Sequence, residues 1–191
     1  DDVSVEPLPS RVPDQVPTLL TGLLTVYLDE LAAAQRVLQT ATRGARIDGQ
    51  AIIRQLGHQP PTADPLRSIA AVVDPAALDR AAVMFLDATA RFIRALRAAG
   101  ASLQFPDKAV RFDSVVGGVS IGTQGDDRHG PDAAVIIDAG GNDVYKRAPV
   151  TDGAISVIVD LGGDDRYHGS DLVVHGLSAI ILPASRHSTE T

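Results

Sequence analysis

The chain has 191 residues, 45% of them hydrophobic, no Cys and a net charge of −7. That is enough apolar material for a buried core, and it excludes disulfides and thiolate metal sites. Residues 111–191 hold 12 Asp/Glu against 6 Lys/Arg, a balance of −6, whereas residues 1–110 hold 12 against 11. The acidity therefore belongs to the C-terminal half, which on this count has no basic stripe. That argues against nucleic acid and anionic membrane surfaces as partners and favours cations. No run is long and apolar enough to span a bilayer.

Residues 1–13 carry three prolines and read as an extended lead-in. From residue 14 the pattern turns helical. Leu19, Leu20, Leu23, Leu24, Tyr27, Leu28, Leu31, Val37 and Leu38 recur at three- and four-residue steps through residue 42. Asp14 is placed to cap this helix, with Pro17 in its first turn. Shorter helices are expected over 49–56 and 64–73. Asp74-Pro75 opens a long helix over 75–99, closed by Gly100. Its apolar stripe includes Ala81, Val83, Met84, Phe85, Ala88, Phe92, Ile93 and Leu96. Arg91, Arg94 and Arg97 read as a solvated face. Residues 14–100 are thus expected to form an antiparallel helical bundle without a catalytic constellation.

Past residue 101 short β-branched runs alternate with Gly- and Asp-rich turns. "AVII" at 134–137, "SVIV" at 156–159 and "SAII" at 178–181 repeat at a step of 22. The turns keep that step: Asp138 with Asp160, Gly141 with Gly163, Asp143 with Asp165 and Tyr145 with Tyr167. A degraded copy lies at 118–129, where Asp127 precedes Asp143 by 16 and His129 takes the Tyr slot. One strand and one tight turn per repeat is the length of a solenoid coil. The expected fold class is α+β: the helical bundle, then a short parallel β-solenoid of about three coils over 101–182, then a tail over 183–191.

The blocks "GGNDVY" and "GGDDRYHG" resemble the calcium-binding nonapeptide repeats of RTX proteins. The likeness rests on Gly141, Asp143 and Tyr145, on Gly163, Asp165 and Tyr167, and on Gly125 and Asp127. It departs at Asp138-Ala139 and Asp160-Leu161, where that family has glycines, and in its spacing of 22.

Charge leads to the same ligand. Strands in neighbouring coils lie about 4.8 Å apart, so Asp143 over Asp165 and Asp138 over Asp160 bring carboxylates together, and Asn142 over Asp164 adds oxygen. Such a pair repels by roughly 3–4 kcal/mol at an effective dielectric of 20. Raised pKa values, neighbouring Arg128 and Arg166, or a bound cation would each relieve it. Clustered Asp, Asn and carbonyl oxygens suit calcium. The candidate ligands are Asp127, Asp138, Asn142, Asp143, Asp160, Asp164 and Asp165. Zinc is not expected: His129, His168 and His175 lack a ligand spacing. Tyr145 and Tyr167 are expected to stack as packing.

The leading expectation is a non-catalytic, calcium-stabilised scaffold or interaction module, outside the cytoplasm. No catalytic residue is assigned, and no nucleophile elbow is read among the serines. One alternative is the N-terminal part or pro-segment of a processed hydrolase. Another is a carbohydrate-active solenoid using Asp126, Asp127, Asp164 and Asp165. The strand 178–182 opens a coil without its turn. A second protomer, a partner chain or a missing continuation is expected to cover it.

Overall fold

The computed structural model describes residues 11–42, 73–147, 154–169 and 177–181. Helix α1 spans Thr18–Thr42 and helix α2 spans Pro75–Ala99. The expected helices at 49–56 and 64–73 fall outside the described residues, save Val73, a bend. Helix α1 begins at Thr18, three residues later than a cap at Asp14 predicts. Pro17 biases Val16 away from helical backbone, so residues 13–16 close a separate turn in which the Val16 N–H donates to the Pro13 carbonyl. Helix α2 has the expected ends. The Asp74 carboxylate accepts the N–H groups of Ala76 and Ala77 at 3.0 and 3.1 Å. Gly100 stops it with φ +50°.

The helices pack antiparallel. The Asp74 N–H donates to the Ala41 carbonyl at one end, and the Tyr27 and Phe92 rings stack at 4.2 Å further along. The Tyr27 hydroxyl meets Thr89 Oγ1 at 3.1 Å, which satisfies two buried polar groups. Burial raises the Tyr27 pKa and keeps the phenol neutral. Leu20, Leu24, Leu28, Leu31 and Leu38 of α1 are buried, as are Phe85 and Leu96 of α2. Leu19 and Val83 fall on the outer faces instead, 43% and 66% exposed.

Beyond a short 3-10 turn at Gly100–Ser102 the regular elements among the described residues are all strands, so the class is α+β. The strands are β1 (Val110–Ser114), β2 (Gly117–Ile121), β3 (Arg128–His129), β4 (Ala133–Asp138), β5 (Val144–Arg147), β6 (Ile155–Asp160), β7 (Arg166–Gly169) and β8 (Leu177–Ile181). They form two sheets, ordered β1-β2-β4-β6-β8 and β3-β5-β7. Among the described strands only β1 runs antiparallel; it hairpins onto β2 as the outer strand of its sheet. All other pairings are parallel, and from β2 the chain alternates between the sheets. The registers reproduce the repeat: Ile136 pairs with Ile158, Ile158 with Ile180, and Tyr145 with Tyr167. The shorter step of 16 appears as His129 opposite Tyr145.

Alternation along the strands sorts two cores. Val135, Ile137, Val157 and Val159 join one continuous cluster with the buried residues of both helices. Ile136 and Ile158 point the other way, into a small core with Tyr145, against which Tyr167 packs. Rings from the second sheet fill that space as a ladder: His129 on Tyr145 at 5.0 Å, and Tyr145 on Tyr167 at 4.7 Å.

Ile158→Asp puts an unpaired carboxylate between the sheets and is expected to destabilise the protein by about 4 kcal/mol or more. Val83→Gln, on the exposed face of α2, is expected to stay within about 0.5 kcal/mol. Urea unfolding of both variants measures the difference, and equal losses would mean that Ile158 is not in a stacked core.

Candidate metal centre

The turns between the sheets are built by glycine and Asx residues. Gly141 and Gly163 adopt φ of +132° and +145°, open to glycine. A Cβ on Gly163 would collide with the Gly141 carbonyl oxygen, and one on Gly141 with that of Gly125. The turns therefore approach too closely for any side chain at these positions. The Asp138 and Asp160 carboxylates each accept the N–H two residues on, from Gly140 at 2.8 Å and Gly162 at 2.9 Å. These are Asx turns.

Two hydrogen-bond ladders of opposite sense cross the stacked turns. In the buried one, Asp143 Oδ1 accepts the Asp127 N–H at 2.6 Å, and Asp165 Oδ1 accepts the Asp143 N–H at 2.8 Å. Each carboxylate thus reaches back to the preceding unit. In the outer one, Asp126 Oδ1 accepts the Asn142 N–H at 2.8 Å, and Asn142 Oδ1 accepts the Asp164 N–H at 3.1 Å. These side chains reach forward. At the first turn Thr123 ends the buried ladder, donating its N–H and hydroxyl to Asp127 Oδ2 at 2.6 and 2.8 Å.

The seven candidate ligands separate accordingly. Asp127, Asp138 and Asp143 come together, each with a carboxylate oxygen within 4.8 Å of the others. Asp138 and Asp143 are buried. Asp160 pairs in register with Asp138, but its Oδ2 accepts the Tyr167 hydroxyl at 2.8 Å. Asp165 is buried one turn further on, bound to the Asp143 N–H. Asn142 and Asp164 stand exposed in the outer ladder, away from the cluster.

Arg neighbours do not relieve this charge. Arg128 and Arg166 follow their Asp residues directly, and adjacent strand residues face opposite sides. Both are exposed, while Asp127 is half-buried and Asp165 is buried. Among the described residues no Lys or Arg pairs with Asp127, Asp138 or Asp143. At 4.8 Å two carboxylates repel by about 3–4 kcal/mol at an effective dielectric of 20. Without a cation, a proton carries the load: the Asp143 pKa is raised to about 7. Burial is the main cause; the Asp127 N–H opposes it, and Asp138 and Asp165 add to it. Burial first and the nearby carboxylates second raise the Tyr145 and Tyr167 pKa values, so both phenols stay protonated.

Sequence reading missed how the first unit completes this cluster. Gly122 stands where the later units have Asp138 and Asp160, and a Cβ there would overlap the Asp138 carboxylate. Asp138 fills that space and takes His129 Nε2 on its Oδ2 at 2.8 Å. His129 Nδ1 meets Ser120 Oγ at 3.0 Å. The missed signal was present: Gly118-Val119-Ser120-Ile121-Gly122 does spell Gly-x-Ser-x-Gly. The structural context of a nucleophile is absent, however. Ser120 lies within strand β2, 1% exposed, rather than on a strand-to-helix turn. His129 and Asp138 are buried with it, so Ser120–His129–Asp138 is a polar strut between the sheets.

No family model, curated protein or solved structure matches the chain.

The raised Asp143 pKa fixes a sign. The folded protein holds this proton up to about pH 7, whereas an unfolded Asp releases it near pH 4. Asp143 therefore contributes stability at low pH that is lost as pH rises from about 4 to about 7. Asp143→Asn keeps the acceptor for Asp127 but removes the charge. In EDTA the stability of wild type relative to Asp143→Asn is expected to fall across that window and level off above it. Chemical denaturation at stepped pH measures this; a flat difference would place the shared proton elsewhere.

Proposed function

We propose that the C-terminal half is a short β-solenoid that serves as a non-catalytic, calcium-stabilised scaffold. The observation that carries this reading is the Asp127–Asp138–Asp143 cluster, which could hold a metal ion. Its donors are hard carboxylate oxygens, which suit calcium better than zinc or copper. The space that Gly122 leaves free lets Asp138 join the other two carboxylates. Asp127, Asp138 and Asp143 would hold the ion, and its charge would replace the proton on Asp143. The ion would then tie the first two turns together. An RTX-like use of Gly-Gly turns, in a calcium-rich setting outside the cytoplasm, fits this reading. The burial of Ser120 and His129 speaks for architecture over hydrolysis.

Millimolar calcium is expected to raise the thermal midpoint above that in EDTA by mass action. The gain is expected to shrink in Asp138→Asn, which removes one charge from the donor set. Identical midpoints with and without calcium at pH 7.5 would overturn the metal reading and leave the protonated pair.

The scaffold reading extends to strand β8. It is the last strand of the five-stranded sheet among the described residues and pairs with β6 on one side. We read its other edge as the place where a second protomer, a partner chain or a further stretch of polypeptide adds a strand. Truncation after Gly176 is expected to change solubility or oligomeric state while leaving helical content intact. Light scattering and circular dichroism test this, and a truncated chain that stays monomeric, soluble and equally stable would show that the edge recruits nothing.

A further inference from the structure

We propose that the outward face of the β3-β5-β7 sheet binds a strand of acidic polysaccharide. The sequence count shows no basic stripe in the acidic half, yet the fold assembles one. Of the six Lys and Arg beyond residue 110 (Arg111, Arg128, Lys146, Arg147, Arg166 and Arg186), four lie in these three short strands. The strands contain no Asp or Glu.

The inward positions are taken by the His129–Tyr145–Tyr167 ladder. Alternation therefore sends the other side chains outward in two rows. Arg128, Val144 and Arg166 are in register, and Lys146 is opposite His168. Arg128, Lys146, Arg166 and His168 are all exposed. Among the described residues none of the four takes part in an ion pair. Arg111 extends the row at its edge, where its Nη2 donates to the Arg128 carbonyl at 2.6 Å.

The shape of this face selects the partner. Arg128 and Arg166 stand two strands apart, about 10 Å. Arg presents a fork that matches carboxylate or sulfate oxygens. The aromatic rings point inward, so the face has no stacking platform for single-stranded nucleic acid. A duplex or a bilayer would press the rest of a −7 protein against a broad anionic surface. An acidic peptide would meet the same cations, and polyglutamate in the test separates the two. A narrow polyanion with charges repeated along its length needs only the cation rows.

Binding to immobilised polygalacturonate tests the proposal, with neutral dextran, polyglutamate and duplex DNA as comparison surfaces. EDTA is present throughout, so the outcome is independent of the calcium reading. The 191-residue chain is expected to bind polygalacturonate at about 25 mM salt and to lose affinity by about ten-fold or more by about 200 mM. Arg128→Gln/Arg166→Gln is expected to weaken binding about ten-fold with an unchanged thermal midpoint, because both side chains are exposed. Lys146→Gln/His168→Gln is expected to weaken it independently. Arg94→Gln/Arg97→Gln, on the exposed face of α2, is expected to leave it unchanged. No binding at low salt, an equal loss in the α2 variant, or tighter binding to polyglutamate or DNA would each overturn the proposal.

Discussion

A buried carboxylate that accepts the backbone N–H of the neighbouring turn is the interaction on which the repeated half depends. Tight turns leave amide groups facing one another, and each needs a partner. Asp143 and Asp165 supply it at 2.6 and 2.8 Å from within the protein. A bond of this kind contributes about 0.5–1.5 kcal/mol when the carboxyl is neutral and about 1.5–3 kcal/mol when it is charged. The same choice concentrates negative charge where water cannot screen it. The raised pKa of Asp143 and the His129 contact to Asp138 both follow from it. Glycine at 141 and 163 is the geometric condition, because only bare backbone lets the turns come close enough.

Helices and ring ladder serve that arrangement from opposite sides. Parallel strands are stable when both faces are covered, and the residues of β6 are buried throughout. The helical pair covers one face with leucine and phenylalanine; Tyr145 and Tyr167 cover the other. The first unit lacks the tyrosine and substitutes His129, which stacks like a tyrosine yet offers two ring nitrogens. Those nitrogens join Ser120 to Asp138 and anchor the carboxylate that has moved into the Gly122 space.

Much of this was legible because repetition exposes register. A step of 22 sets Ile136 beside Ile158 and Asp138 beside Asp160. The long helix from Pro75 was legible from its cap chemistry, and the late start of α1 was not, since Pro17 acts on the residue before it. Three features escaped for one reason: they depend on the facing of neighbours rather than on their presence. Arg128 and Arg166 looked like counter-ions to the Asp residues they follow, yet strand alternation turns them away. The cations looked dispersed along the chain, yet they share a face. Ser120 and His129 are remote in motif terms and meet only because β2 and β3 belong to different sheets that pack together.

The unequal spacing of the units has its own consequence. Residues 130–132 join β3 to β4, whereas residues 148–154 join β5 to β6 and residues 170–176 join β7 to β8. The turns nevertheless align, His129 over Tyr145 as well as Tyr145 over Tyr167. The stack counts turns, not residues, because register is set by the Asx ladders and ring pairs rather than by connector length. The connectors are thus the part of each unit on which selection can act without disturbing the lattice. A series of such proteins would diverge in connector length and sequence while its turns stayed nearly constant.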